Sequence, residues 1–103
     1  MKKYFFLGKK IFPLCRSLTG RDTLKTLKIL SSELPKLKIK KIKSGTKVFD
    51  WKVPEEWNIK DAYIKDKNNK KIIDFKKNNL HIFSYSENVN LILTKNQLLK
   101  KIY

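Results

Sequence analysis

SGTKVFDWKVPEEWNIKDAY, Ser44 to Tyr63, holds two tryptophans, a proline and an acidic pair inside twenty residues of a chain otherwise rich in Lys and Asn. Compositional bias does not generate such a segment, so it reads as selected for specific packing. Within it, Ser44-Gly45 marks a turn, Val48, Phe49 and Trp51 begin an extended piece, and Pro54 ends that piece. Glu55 and Glu56 after Pro54 have the pattern of a helix start or a short solvated turn before Trp57. Adjacent carboxylates point apart on a strand or a helix, so the pair does not make an acid/base dyad.

Outward from this stretch, the period of the apolar residues changes. On the N-terminal side, residues 3–12 read as a short helix with Tyr4, Leu7 and Ile11 on its stripe, ended by Pro13. Residues 21–34 are a clearer helix, with Leu24, Leu27, Leu30 and Leu34 at helical spacing, Thr19 or Asp22 as N-cap and Pro35 as stop. Lys36 to Lys43, KLKIKKIK, alternates like a half-buried strand, with a bulge at Lys40-Lys41. On the C-terminal side, Ile59 to Lys65 and Lys71 to Phe75 read as strands joined by the turn DKNNK, Asp66 to Lys70. His81 to Tyr85 reads as one more strand after the Asn78-Asn79 turn. Thr94-x-x-Gln97 is a capping box that opens a last helix over 95–102. The expected class is α+β: two N-terminal helices, a small, mostly antiparallel β region that is sandwich-like and incomplete, and a truncated C-terminal helix. Leu98, Leu99, Ile102 and Tyr103 make an apolar face two turns long with nothing after it, the pattern of a truncated reading frame.

A chain of 103 residues is at most one domain, and 41% apolar residues support a modest core. The net charge is +16, from 25 basic and 9 acidic residues. Residues 1–52 carry +12 of it and residues 53–103 carry +4. Polyanion binding is the first class this raises, and the residue types argue against it. Only Arg16 and Arg21 are arginines, whereas readers of phosphates and bases favour the planar guanidinium fork. Lys, Asn and Ile in excess are what an AT-rich genome imposes on surfaces. A basic first half fits a face that meets something acidic, including another part of the same protein. Cys15 is the sole cysteine, which excludes an intramolecular disulfide and fits a reducing cytoplasm. The opening MKKYFFLGKKIFPLC fails as a signal peptide because Lys9 and Lys10 interrupt its apolar run, and no run approaches a membrane span. A cytoplasmic location is expected.

Catalytic constellations are sparse. His81 is the lone histidine, with no HExxH, HxH or CxxC spacing, and zinc needs three or four convergent ligands. Its plainer reading is a structural histidine. Cys15-Arg16-Ser17 puts a thiol beside a cation, which can lower a thiol pKa, but no base is placed near it by sequence; Cys15 as a small packed hydrophobe is the plainer reading. The aromatics Phe49, Trp51, Trp57, Tyr63, Phe75, Phe83 and Tyr85 lie among lysines and are either a stacking platform for single-stranded nucleic acid or one packed sheet face, and alternation favours the second. Gly8, Gly20 and Gly45 are too scattered for a phosphate loop.

LCRSLTG (Leu14 to Gly20), the tryptophan stretch and KIIDFKKNNLHIFSYS (Lys71 to Ser86) together resemble the start of a bacterial family of aminopeptidase-like proteins, related to the co-catalytic zinc exopeptidases. The resemblance is carried by Cys15, Arg16, Ser17, Thr19 and Gly20, by Ser44, Gly45, Thr46, Val48, Phe49, Asp50, Trp51, Val53, Pro54, Trp57, Asp61 and Ala62, and by Asp74, Phe75, Asn79, Leu80, His81, Tyr85 and Ser86. It weakens after Ser86. It implies that residues 1–35 correspond to the start of the peptidase-like domain and residues 36–103 to the first part of an inserted β-rich domain. It further implies zinc for the full-length family and a peptide-like substrate. The family's metal ligands and catalytic carboxylate find no counterpart among these residues, so no catalytic or metal residue and no cofactor is assigned to this chain. Cys15, Arg16, Ser17, Trp51, Trp57 and His81 are family-motif positions without an assigned role. The expected function is the N-terminal fragment of a zinc aminopeptidase-like protein, inactive alone, whose partner is the remainder of the same protein. A non-catalytic partner of a separately encoded remainder, or a small basic module binding nucleic acid or protein, are the alternatives; a nucleic-acid partner is disfavoured and a membrane is not expected.

Overall fold

Helix α1, Lys2–Ile11, ends where proline chemistry says it must. Pro13 disfavours helical backbone at Phe12, and the guanidinium of Arg16 turns back to donate to the carbonyl of Ile11 at 2.9 Å. Lys9 and Lys10 lie in its last turn, where the helix dipole favours cations. This computed structural model describes residues 2–102; Tyr103, which the sequence placed on the last apolar face, lies outside the described residues. Helix α2, Arg21–Glu33, turns Leu24, Leu27 and Leu30 to a half-buried side and stops before Pro35. Thr26 is buried and returns its hydroxyl to the carbonyl of Asp22, 2.9 Å away.

The β region forms two separate antiparallel ribbons. Strands β1, Lys47–Val48, and β2, Trp51–Lys52, pair Lys47 with Lys52 and Val48 with Trp51. The expected single extended piece through Val48 and Trp51 is therefore folded back on itself at Phe49-Asp50. Phe49 has φ +52° and is 91% exposed. Positive φ at the first loop residue is where two-residue hairpins favour glycine, so a bulky side chain there is strained. Strands β3, Tyr63–Lys65, and β4, Lys71–Asp74, pair across the expected turn, with a register shift between Ile64 and Lys65. Asp66 Oδ1 accepts the amides of Asn68 and Lys70, each at 2.9 Å, and Asn69 takes the left-handed conformation, φ +61°.

Two expected strands are absent. Residues 36–43 form no strand and have no ladder partner. Residues 81–85 are not a strand: Asn79–His81 is a 3-10 turn capped by Asn78, whose side chain accepts the Leu80 amide at 3.0 Å. Local side-chain hydrogen bonds outcompete the alternation there. At the C-terminal side, Thr94 and Gln97 form the expected reciprocal capping box, and the helix it opens, α3, is Lys95–Leu99. No helix among the described residues is long and apolar enough to cross a membrane.

The architecture is α+β but open. Among the described residues no apolar side chain is buried, and Phe83, Leu80, Ile92 and many other large ones are exposed. The accessible surface is 9840 Å², whereas a compact monomer of 12.3 kDa exposes about 6,100 Å². The difference is about 3,700 Å². The radius of gyration, 17.6 Å, likewise exceeds the roughly 13 Å of a compact chain this long.

Candidate functional site

Among the described residues, distant parts of the chain lock together in a polar junction around residues 12–23. Gly20 precedes α2 with φ +144°, and a Cβ built on it would lie 2.5 Å from the carbonyl oxygen of Trp57. Neither Thr19 nor Asp22 caps α2, contrary to expectation: the cap position is Gly20, which has no side chain. Asn58 supplies the missing acceptor from 37 residues away, taking the Arg21 amide on Oδ1 at 2.7 Å. Asp22 instead accepts the backbone amide of Cys15 at 3.1 Å.

The other contacts are of the same kind. The Trp57 amide donates to the carbonyl of Thr19 at 3.4 Å. Thr19 Oγ1 and Tyr85 Oη both reach the carbonyl of Glu55, at 3.0 and 3.1 Å, and lie 3.1 Å apart. Trp57 Nε1–H donates to the carbonyl of Ser86 at 3.1 Å, and its ring meets that of Tyr85 with centroids 6.2 Å apart. Tyr85 sits at φ +64°, uncommon for a bulky residue, and so aims its hydroxyl at this cluster. Ser84 Oγ donates to the carbonyl of Arg16 at 3.4 Å, and the Asn79 amide group to that of Phe12 at 3.1 Å. Residues 53–59 contain no helix or turn, so the Pro54-Glu55-Glu56 pattern does not start one. What Glu55 contributes is its carbonyl.

The family-motif positions divide accordingly. Cys15, Arg16, Ser17 and Trp57 come together at the junction. Trp51 does not: it stands half-exposed on the first ribbon. His81 lies beside the second ribbon, its Nδ1 3.2 Å from the carbonyl of Asp74. None of the junction groups is set for nucleophilic chemistry. Ser17 Oγ is bound to the carbonyls of Thr19 and of Trp57. Burial pushes the Cys15 thiol up from its ordinary value, and the nearby Asp22 carboxylate pushes the same way. Cys15 is therefore expected to alkylate with iodoacetamide at pH 7.5 more slowly than free cysteine; equal or faster reaction would contradict the geometry.

Asp74 organises the turn that follows β4. Its carbonyl accepts the amides of Lys77 and Asn78 at 3.1 and 3.2 Å. Its carboxylate accepts the Lys76 amide at 3.1 Å and pairs with the Lys71 ammonium at 3.2 Å. Desolvation raises its pKa, but the Lys76 amide and the charges of Lys71 and Lys77 outweigh it, and the group stays below the ordinary 3.8. A depressed folded value means that the contribution to stability is complete above the unfolded value and disappears as pH falls through the folded one. Amide protection at Lys76, Lys77 and Asn78 is expected to decay below about pH 4. Asp74→Asn should remove that pH dependence, and protection constant down to pH 2 would overturn the assignment.

No group of three or more His, Cys, Asp or Glu side chains among the described residues is arranged to hold a metal ion. The resemblance implies zinc for the full-length family and not at these residues; here His81 Nδ1 faces the Asp74 carbonyl and the Asp74 carboxylate pairs with Lys71.

Sequence and structure comparisons agree on one neighbourhood. Residues 5–100 match the family described as a domain of unknown function, DUF4910. A Clostridium acetobutylicum protein named "Putative polysaccharide biosynthesis protein with aminopeptidase-like domain" is 52% identical over 92 residues, which cover 89% of this chain and 21% of the relative. A crystal structure of a "putative peptidase" from Clostridium acetobutylicum superposes with a TM-score of 0.89 at 48% identity, covering 96% of this chain and 23% of that one. This chain thus spans between a fifth and a quarter of the length of the relatives it matches.

Proposed function

This chain belongs to the DUF4910 family, and from that premise we propose that it serves as the N-terminal scaffold segment of a cytoplasmic aminopeptidase-like protein. The observation that carries this reading is the surface. The chain exposes about 3,700 Å² more than a compact monomer, and its relatives supply more than three quarters of their length beyond the matched part. A standard protein–protein interface takes only about 800 Å² from each partner, so the excess suits a face built to be covered by a larger body. In this reading residues 1–35 begin the peptidase-like domain and residues 36–103 begin an inserted β-rich domain. The polar junction fixes the one against the other. The zinc ligands and the carboxylate that acts on a peptide-like amide lie outside residues 1–103, and the remainder of the protein is the partner. Nucleic acid and membrane have no role in it.

The test uses two proteins. The first is the 103-residue chain. The second is a chimera in which these residues replace the matched fifth of the Clostridium acetobutylicum relative. Aminoacyl p-nitroanilides are the substrates. The chimera is expected to bind zinc and release the chromophore, and the chain alone to do neither. Zinc-dependent turnover by the chain alone, or a folded chimera without activity, would overturn the reading.

A further inference from the structure

Lys36 to Lys43, whose sequence alternates like a strand, links α2 to β1 as an arm outside any helix or ladder, tied at both ends and bare between them. At its start the Leu37 amide closes onto the Leu34 carbonyl at 2.9 Å. At its end the Lys43 carbonyl accepts the Thr46 amide at 3.2 Å and the Thr46 hydroxyl at 2.6 Å. Between them, the amides and carbonyls of residues 38–42 have no hydrogen-bond partner among the described residues. Eight residues in strand conformation would span roughly 26 Å, longer than a typical strand. Leu37 and Ile42 are 37% and 64% exposed. A stretch with strand alternation in its sequence, a free backbone and exposed apolar side chains is an edge in search of a neighbour.

We infer that residues 36–43 add as an edge strand to a sheet in the aminopeptidase-like remainder, against a neighbouring strand that carries carboxylates. The inference rests on the scaffold reading above and specifies its contact. Five lysines in eight residues decide both the position and the partner. Lysine on an outermost strand blocks further pairing. The same lysines argue against a second copy of this chain, because like charges facing each other across a ladder destabilise it. A polyanion would take the ammonium groups and leave the amides of 38–42 unused.

Hydrogen exchange on the intact chimera decides the matter, with the isolated chain as reference. Alternate amides within 38–42 are expected to slow by about 100-fold or more in the chimera. Ile39→Pro and Lys40→Pro remove neighbouring amides that point to opposite sides of a strand. Only one of the two should release the arm. A folded chimera in which all five amides exchange as in the isolated chain would overturn the inference, even if it hydrolyses its substrate. Protection that grows with the concentration of the isolated chain would overturn it in favour of a second copy. A chimera that does not fold would also count against it, since backbone pairing tolerates the side-chain differences between these relatives. Protected amides in a folded but inactive chimera would uphold the strand and overturn only the peptidase reading.

Discussion

Gly20→Ala is expected to destroy cooperative folding of this chain. The backbone at φ +144° lies in a region that is nearly glycine-only and costs an L-residue about 1–3 kcal/mol. The added methyl would also sit 2.5 Å from the Trp57 carbonyl, a main-chain atom that cannot swing aside. Overpacking of this kind costs a further 1–3 kcal/mol or so. Together the two terms approach the whole stability of a small domain. The other glycines are built-in controls. Gly45 has φ +82° with nothing near its missing Cβ, so Gly45→Ala should cost only the strain, about 1 kcal/mol. Gly8 lies inside α1 with open space around it, and Gly8→Ala should stabilise the helix by about 0.5–1 kcal/mol. Urea unfolding of the three variants checks the order. A Gly20→Ala protein as stable as the parent would mean that residues 55–58 do not lie against the start of α2.

Trp57→Ala should be the next most damaging change, at roughly 2–4 kcal/mol, since the ring is half-buried rather than fully enclosed. It removes the packing on Tyr85 and the Nε1–H bond to the Ser86 carbonyl. Trp57→Phe retains most of the packing and should show the hydrogen bond alone, about 1 kcal/mol. Trp51→Ala is the contrast. That ring is 52% exposed on a two-residue strand, and its loss should cost less than about 1 kcal/mol. Equal effects at the two tryptophans would mean that the 55–58 segment does not hold the junction.

Features that depend on neighbours a few residues away were legible in the sequence. The leucine spacing of α2, the Asp66–Lys70 turn and the Thr94–Gln97 box all stand where their local chemistry puts them. Misreadings arose where the deciding partner is remote or where two local patterns compete. Alternation at 36–43 predicts a strand, but pairing needs a neighbour that the described residues do not provide. Alternation at 81–85 lost to the Asn78 cap. Thr19 has the chemistry of an N-cap yet spends its hydroxyl on Glu55, while Asn58, which nothing local marks, takes over the capping. Trp57 stood out as an oddity of composition; that it meets Tyr85 follows only from the fold.

Nearly every acceptor in the junction is a main-chain oxygen: those of Ile11, Phe12, Arg16, Thr19, Glu55, Trp57 and Ser86. A carbonyl is present whatever the codon says. At Ile11, Phe12, Glu55 and Ser86 the side chain can drift toward Lys, Asn or Ile under nucleotide bias while the hydrogen bond to that residue persists. Selection on the joint then falls on the side-chain donors Arg16, Ser17, Thr19, Trp57, Asn79, Ser84 and Tyr85, on the acceptor side chains of Asp22 and Asn58, and on a glycine with no room for a methyl. A genome free to rewrite most of this surface would still pass on the same hinge-point between helices and ribbons.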